Sequence, residues 1–261
     1  MTVELGHETM GSGEPLVMLH GLFGSRRNWL SIIRPLSEDL QVVAVDLRNH
    51  GSSGHAATMS FAEMADDVAA LADRLGLDRV NVAGHSLGGK VAMLFALRHP
   101  SRTRRLLVLD VAPVPYRGPF GRYIDAMLAM PLAQMRTRQE AEEALAPAVP
   151  QAAVRQFLLH NLVRDGNGFR WRPNLEALRT NLDELSGFPE IPAGTTYEGP
   201  ASFLAGGRSD YLRPEHLPLI RQLFPRASLE VIPDAGHWLH ADQPEAVLHH
   251  MRTFLAAPEG Q

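Results

Sequence analysis

A serine lies between two glycines in the segment Gly84-His85-Ser86-Leu87-Gly88. An apolar run over 79–83 precedes this segment and a stretch of helical periodicity over 89–99 follows it, so we expect a sharp turn between a strand and a helix. The flanking glycines leave room for such a turn, which would hold the serine hydroxyl clear of the sheet above a helix N-terminus. The pattern alone is weak evidence, but its setting predicts that Ser86 is a nucleophile that attacks acyl groups.

The base for this serine is expected late in the chain, at His237. A serine hydroxyl is a poor nucleophile near neutral pH, so acyl transfer needs an imidazole to take its proton and a carboxylate to orient that imidazole. His237 follows the last predicted strand and precedes the last predicted helix, which puts it at the same sheet edge as Ser86. We interpret His240 as a helix-entry or surface histidine, because Gly236 shapes the turn for His237 only.

Two aspartates could supply the carboxylate. Asp110 ends the apolar run that comes after the serine segment, and Asp210 follows the apolar run 200–206, whose strand is expected next to the strand that precedes His237. Both give the chain order serine, acid, histidine, and both lie at the same edge of the sheet. Spacing therefore leaves both candidates open, and the other aspartate is expected to cap a helix or brace a loop.

A tetrahedral intermediate also needs two N–H donors aimed at its oxyanion. We expect one to be the backbone amide of Leu87. The other should come from the glycine turn His20-Gly-Leu-Phe-Gly24, where the chain leaves a strand. The amide of Leu22 is the predicted donor, and the amide of Phe23 is the alternative in the neighbouring register.

The elements that must position these residues follow an alternating pattern. Continuously apolar strands are usually covered on both faces, so the pattern predicts an α/β protein with a doubly wound parallel sheet. Residues 1–111 and 200–261 form the predicted core, and 112–199, which contain helical stretches and no convincing strand, form a predicted helical cap. The predicted strands are 16–20, 41–46, 79–84, 105–111, 200–206 and 227–233, and the predicted helices are 60–75, 87–98, 138–146, 152–163, 175–185 and 243–255.

The cap is expected to provide an apolar acyl pocket. The predicted inward-facing residues are Phe120, Tyr123, Met127, Met130, Phe157 and Leu158. The residues predicted to contact the substrate are Phe23, Tyr123, Met127 and Trp238.

Composition limits the partners and the location. A net charge of −4 gives no electrostatic footprint for nucleic acid, and the absence of cysteine excludes thiolate chemistry. No segment approaches the roughly 18 apolar residues of a membrane span, and the N-terminus lacks signal-peptide features, so a cytoplasmic protein is expected. Neither a nucleotide-binding glycine loop nor an H-E-x-x-H motif occurs, so no cofactor or metal is expected. Residues 258–261 are predicted to be a loose tail.

Several motifs together resemble the α/β-hydrolases, and among these the YbfF-type esterases and their abhydrolase relatives. The resemblance implies a mostly parallel, eight-stranded-type sheet with the cap inserted after the sixth strand. It also implies hydrolysis of carboxylic esters without a cofactor. The matching segments are His20-Gly-Leu-Phe-Gly-Ser25, Asp46-Leu-Arg-Asn-His-Gly51, Gly84-His-Ser-Leu-Gly-Gly-Lys90, Leu109-Asp-Val-Ala-Pro-Val114, Phe169-Arg-Trp-Arg172 and Gly236-His-Trp-Leu-His-Ala241.

The resemblance favours Asp110 as the acid, because YbfF-type enzymes take it from the matching position. The expected activity is therefore that of a serine carboxylesterase, a monomer or homodimer, that hydrolyses short- to medium-chain acyl esters through an acyl-enzyme. The alternatives with the same triad are a thioesterase and a hydrolase of carbon–carbon bonds. An alternative of another class is a ligand-binding receptor built on a hydrolase scaffold.

Overall fold

A seven-stranded sheet forms the centre of the protein, whose structure is a computed structural model that describes residues 1–258. Residues 259–261, the end of the predicted tail, lie outside the described residues. The strand order is β1-β3-β2-β4-β5-β8-β9, and all neighbouring pairs are parallel except β1 with β3. The strands are β1 (His7–Met10), β2 (Glu14–Leu19), β3 (Leu40–Val45), β4 (Val80–His85), β5 (Thr103–Leu109), β6 (Leu162–Asp165), β7 (Gly168–Trp171), β8 (Ala201–Gly206) and β9 (Ala227–Ile232).

Helices cover both faces of this sheet, which confirms the predicted doubly wound α/β fold. Alternate residues of a strand point to opposite faces. Thus Val17 and Leu19 of β2 pack with the helices α2 and α3, whereas Leu16 and Met18 pack with α1 and α11. The helices are α1 (Leu30–Leu36), α2 (Phe61–Arg74), α3 (Leu87–Arg98), α4 (Phe120–Leu128), α5 (Arg138–Leu145), α6 (Ala152–Leu159), α7 (Leu175–Thr180), α8 (Leu182–Ser186), α9 (Leu217–Leu223), α10 (Leu239–Asp242) and α11 (Pro244–Ala256). Among the described residues, no helix is long and apolar enough to cross a membrane.

The sheet differs from the expected eight strands at its N-terminal edge. No further strand pairs there in the described chain, and side chains accept two of the backbone amides that precede β1: the amide of Val3 donates to Asp67 Oδ1 at 2.8 Å, and the amide of Gly6 donates to Ser53 Oγ at 2.9 Å. The first strand within the described chain is therefore β1, a polar edge strand that carries no apolar run. The cap segment accordingly leaves the sheet after its fifth strand, β5, and not after a sixth.

The segment between β5 and β8 contains the helices α4 to α8 and a β-hairpin that the sequence analysis did not predict. The predicted helix over 152–163 ends at Leu159, and β6 then pairs antiparallel with β7. Gly166 adopts a positive φ of 55° in the connecting turn, which glycine does without strain. The residues Asp165-Gly-Asn-Gly168 are typical of such turns and could have indicated the hairpin. The predicted helix over 175–185 is likewise interrupted at Asn181, between α7 and α8.

A fully buried ion pair fixes the loop after β3 against α2. Arg48 is 0 % exposed and Asp67 is 1 % exposed. Arg48 Nε donates to Asp67 Oδ2 at 2.6 Å and its terminal nitrogen donates to Oδ1 at 2.9 Å. The same loop carries His50, which contacts the glycine turn after β2. The ion pair therefore helps to hold the loop that contacts this glycine turn.

We expect Asp67→Ala to lower the free energy of unfolding by about 3 kcal/mol, because it removes the carboxylate that accepts two hydrogen bonds from the buried guanidinium and leaves that guanidinium paired with Glu63 alone, at 3.2 Å. Urea denaturation measures this loss. The control is Asp66→Ala on the same helix, since Asp66 and its partner Arg98 have side chains 41 % and 43 % exposed. That surface pair should contribute less than about 1 kcal/mol. Equal losses of stability in the two variants would contradict the view that the buried pair of Arg48 and Asp67 stabilises the protein more than the surface pair does.

Candidate active site

Ser86 lies at a strained turn between β4 and α3. Its backbone has φ 53° and ψ −119°, a conformation that a residue other than glycine rarely adopts. The turn is tight: a Cβ at Gly84 would lie 2.1 Å from the carbonyl oxygen of Gly88, and one at Gly88 would lie 2.4 Å from that of Leu19. Only glycine fits at either position. Strain held by its surroundings in this way is common at functional sites.

His237 and Asp110 are joined by a hydrogen bond between His237 Nδ1 and Asp110 Oδ2, at 2.7 Å. Because an ionised carboxylate only accepts, Nδ1 carries the proton and Nε2 is left as an acceptor. Asp110 is fully buried, and its Oδ1 accepts the amide of Gly206 at 3.0 Å. The hydroxyl of Ser209 also donates to Oδ2. Three donors thus hold this carboxylate in place beneath the imidazole.

Asp210 occupies a different environment. Its side chain is 85 % exposed and forms an ion pair with Arg213 three residues later. The structure therefore does not bring it to His237. The adjacent residues reach the site instead: Ser209 contacts Asp110, and the ring of Tyr211 stacks on the imidazole of His237 with centroids 3.9 Å apart. No sequence signal distinguished Ser209 or Tyr211 from other loop residues.

The glycine turn after β2 contains the two backbone amides predicted as alternative oxyanion donors, those of Leu22 and Phe23. The amide of Phe23 donates to His50 Nε2 at 3.2 Å, so it is occupied. Within the described residues, the amide of Leu22 has no hydrogen-bond partner. The amide of Leu87 is at the first position of α3, where a helix supplies no acceptor. Leu22 and Leu87 thus remain the two candidate oxyanion donors.

Buried histidines surround the candidate base. His85 Nε2 donates to the carbonyl oxygen of His237 at 2.7 Å, which fixes the loop that carries the base. Burial lowers the pKa of His85 well below its usual value. Burial likewise lowers the pKa of His50 to about 3 and that of His240 to about 4. His240 is 5 % exposed and is therefore not a surface residue, because it packs against Trp29 and His85.

The low pKa values predict that the protein loses stability in mild acid. Unfolding restores the usual histidine pKa of 6.5, so below that pH the unfolded chain binds more protons than the folded one. His50 and His240 should each lower the free energy of unfolding by about 2 kcal/mol between pH 8 and pH 5. Urea denaturation at the two pH values measures the sum. In His240→Asn, the difference between the free energies of unfolding at pH 8 and pH 5 should be smaller by about 2 kcal/mol. A free energy of unfolding that is equal at both pH values would contradict the prediction.

Two cavities meet at Ser86. The first is the larger, at about 620 Å³ against about 390 Å³. Both are lined by Ser86, Leu22 and Phe120. The first is also lined by His20, Phe23, His85, Tyr123, Phe157, Leu158, His237 and Trp238. The second is also lined by Leu87, Lys90, Val111, Tyr116, Leu185, Ser186 and Tyr211.

The cap residues divide between cavity and cap core. Phe23, Tyr123 and Trp238 line the first cavity as predicted substrate contacts would. Met127 is 0 % exposed and lines neither cavity, because its face of α4 packs inside the cap. Its carbonyl oxygen accepts the indole N–H of Trp171 at 2.8 Å. The structure thus places Met127 behind the wall of the cavity and not on it, and Met130 likewise lines neither cavity.

A second chain of serine, histidine and carboxylate lies at the far side of the sheet. Ser202 Oγ and His250 Nε2 are 2.7 Å apart, and His250 Nδ1 lies 2.6 Å from Glu230 Oε2. Ser202 is fully buried within β8 and lines neither of the two cavities at Ser86. Since a nucleophile must meet its substrate, this chain of hydrogen bonds serves to attach α11 to the sheet.

Known proteins resemble this chain along most of its length. A family model described as the alpha/beta hydrolase fold matches residues 14–244. The sn-1-specific diacylglycerol lipase ABHD11 of Mus musculus is 41 % identical over 92 % of this chain and 80 % of its own length. Esterase YbfF of Escherichia coli is 35 % identical over 94 % of each chain. The structure of a marine microorganism esterase superimposes with a TM-score of 0.93 at 38 % identity, and covers 97 % of this chain and 99 % of its own.

Proposed function

This chain belongs to the α/β-hydrolase family, with YbfF-type relatives, and we propose that it is a serine carboxylesterase that hydrolyses short- to medium-chain acyl esters through an acyl-serine. Hydrolysis of carboxylic esters is the activity for which its esterase and lipase relatives are named. The observation that carries the proposal is the hydrogen bond of 2.7 Å from His237 to the buried Asp110, beside a serine that opens to two cavities.

In the proposed reaction, His237 Nε2 takes the proton of Ser86 Oγ as the oxygen attacks the ester carbonyl carbon. The carbonyl oxygen becomes an oxyanion that accepts hydrogen bonds from the amides of Leu22 and Leu87. When the intermediate collapses, the imidazolium of His237 gives its proton to the leaving alkoxide, and an alcohol departs. Water then repeats the sequence on the acyl-serine, which releases the acid and restores Ser86.

The two cavities divide the ester between them. The leaving oxygen must lie next to the histidine that protonates it, and His237 lines only the larger cavity. We therefore assign the alcohol portion to the larger cavity, between Phe157 and Trp238. The acyl portion then occupies the smaller cavity, which begins at Leu87. We expect the cap residues Leu182, Leu185 and Ser186, which also line this cavity, to limit the length of the acyl chain.

The test is a panel of ethyl esters whose acyl chain grows from acetate to dodecanoate, with thioesters of the same acids beside it. We expect saturable hydrolysis of the esters and a fall in kcat/KM once the acyl chain exceeds medium length. Ethyl, butyl and benzyl butanoates vary the alcohol portion and should differ less, because the cavity assigned to them is larger. No hydrolysis of any ester would overturn the proposal. If thioesters alone were hydrolysed, the thioesterase alternative would replace it.

A further inference from the structure

Lys90, the single lysine of the chain, lies one helical turn after Ser86 on α3. The amide of Lys90 donates to the carbonyl oxygen of Ser86 at 3.1 Å, so the two residues are one turn apart at the start of α3. Lys90 is 3 % exposed and lines the smaller cavity together with Ser86. Lysine is rarely buried without a partner, so its position beside the nucleophile calls for a reason.

The contacts of Lys90 leave its charge uncompensated. Its Nζ donates to the carbonyl oxygens of Ser186, at 3.3 Å, and of Gly187, both in the cap. The ring of Tyr116 lies 4.8 Å from Nζ. No carboxylate lies within 4.0 Å of Nζ in the described part of the chain. An ammonium carries three donors, so one N–H remains without an acceptor, and the positive charge is met by carbonyl oxygens and by the rings of Tyr116 and Phe61 but by no anion.

Burial lowers the pKa of Lys90 to about 7, which agrees with an ammonium that has lost water without gaining an anion. The buried carboxylate of the same site, that of Asp110, already accepts from Gly206, Ser209 and His237. An anion that enters the smaller cavity would supply the missing partner. A ligand carboxylate is the natural candidate, because a charged hydrogen bond is stronger than a neutral one.

We propose that Lys90 determines acyl specificity by binding a carboxylate at the far end of the acyl group, so that half-esters of short dicarboxylic acids are preferred substrates. The inference rests on the proposed esterase function and on the assignment of the acyl portion to the smaller cavity. In an extended diacid of four or five carbons, the second carboxylate carbon lies roughly 4 to 5 Å from the ester carbonyl carbon. Ser86 and Lys90 line the same cavity one turn apart at the start of α3, so short diacids are the acyl groups that we expect to reach both residues.

The experiment compares each half-ester with a neutral ester of the same shape. Monoethyl succinate is paired with ethyl 4-methylpentanoate, and monoethyl glutarate with ethyl 5-methylhexanoate. Alkyl esters are used because aryl half-esters of these acids hydrolyse through attack by their own carboxylate. The wild-type protein should show the higher kcat/KM for the charged member of at least one pair. A preference for the neutral member in both pairs would overturn the inference, whether or not any variant folds.

Lys90→Met removes the charge and keeps an unbranched side chain. We expect it to lower the ratio of kcat/KM, charged over neutral, by about 10- to 100-fold, and the ratio cancels any effect that the substitution has on both esters alike. The control is Arg98→Met, which removes the same charge from the exposed end of α3 and should leave the ratio unchanged. A ratio unchanged in Lys90→Met would overturn the inference. Hydrolysis of the neutral esters alone would contradict the inference about Lys90 but agree with the proposed esterase function. Hydrolysis of neither class of ester would contradict both the inference and the proposed function.

Discussion

Replacement of Asp110 by asparagine is expected to lower kcat by about 10⁴-fold. The magnitude follows the serine proteases, in which the same change leaves the geometry intact and imposes the wrong histidine tautomer. An amide facing His237 Nδ1 would donate to it, so the proton would move to Nε2, where it blocks proton transfer from Ser86. The variant should fold, because Asp110 has a positive φ of 51°, which asparagine tolerates. Steady-state hydrolysis of an ethyl ester measures the loss.

Asp210→Asn is the matched control for this experiment. Asp210 is exposed and paired with Arg213, so its amide variant should keep kcat within about twofold of the wild type. Circular dichroism of both variants checks that each is folded. A loss of several orders of magnitude in Asp210→Asn, with little change in Asp110→Asn, would reverse the assignment of the acid.

Ser86→Ala should cause the largest loss, about 10⁶-fold in kcat. The substitution removes the attacking oxygen and leaves the candidate oxyanion donors, so only a residual rate above that of water should remain. Within the described residues the hydroxyl of Ser86 makes no hydrogen bond, and alanine therefore leaves no buried group unpaired. Sensitive detection of the released acid is needed to measure so slow a rate.

Ser202→Ala provides the control for a general effect of removing a serine. Ser202 also contacts a histidine that contacts a carboxylate, but it is buried within β8 and lines neither cavity. Its loss should cost about 1 kcal/mol of stability and leave kcat unchanged. Retention of activity in Ser86→Ala, with the protein folded, would remove Ser86 from the mechanism.

Much of the fold follows from local sequence patterns. Apolar runs predicted six of the seven strands of the main sheet. Five of these are largely buried between the helix layers, whereas β9 is largely exposed. The strand β1 carried no such run, since it lies at the polar edge of the sheet. The cap hairpin was missed for another reason: its two strands have only four residues each, too few for an alternating pattern to stand out beside the helical periodicity that precedes them.

The positions of the candidate catalytic residues could be predicted where a residue follows the end of a strand. Ser86 and His237 each follow a strand, and the structure brings both to one cavity. The choice between Asp110 and Asp210 was different, because both follow neighbouring strands at the same edge. What separates them is the direction of each turn: Asp110 points into the sheet edge beneath His237, and Asp210 points to solvent.

Residues that act across long separations in sequence gave no signal of their own. His85 stood only as a variable position of the serine motif, and nothing in the sequence shows that its ring reaches the carbonyl oxygen of His237, 152 residues away. Lys90 likewise was read only as part of a motif, and its two cap carbonyls lie 96 and 97 residues further on. The prediction that Met127 contacts the substrate was wrong, because the rotation of α4 about its axis decides which of its residues face the cavity, and the sequence pattern does not fix that rotation.

The acyl-serine is the central claim, and partitioning between water and methanol tests it most directly. Ethyl, phenyl and p-nitrophenyl butanoates are hydrolysed in buffer that contains methanol, and the ratio of methyl butanoate to butanoic acid is measured for each. If all three esters form one butanoyl-Ser86, the ratio must be the same, because the leaving group has departed before either acceptor attacks. A ratio that changes with the leaving group would contradict the account and would indicate direct attack of water on the bound ester.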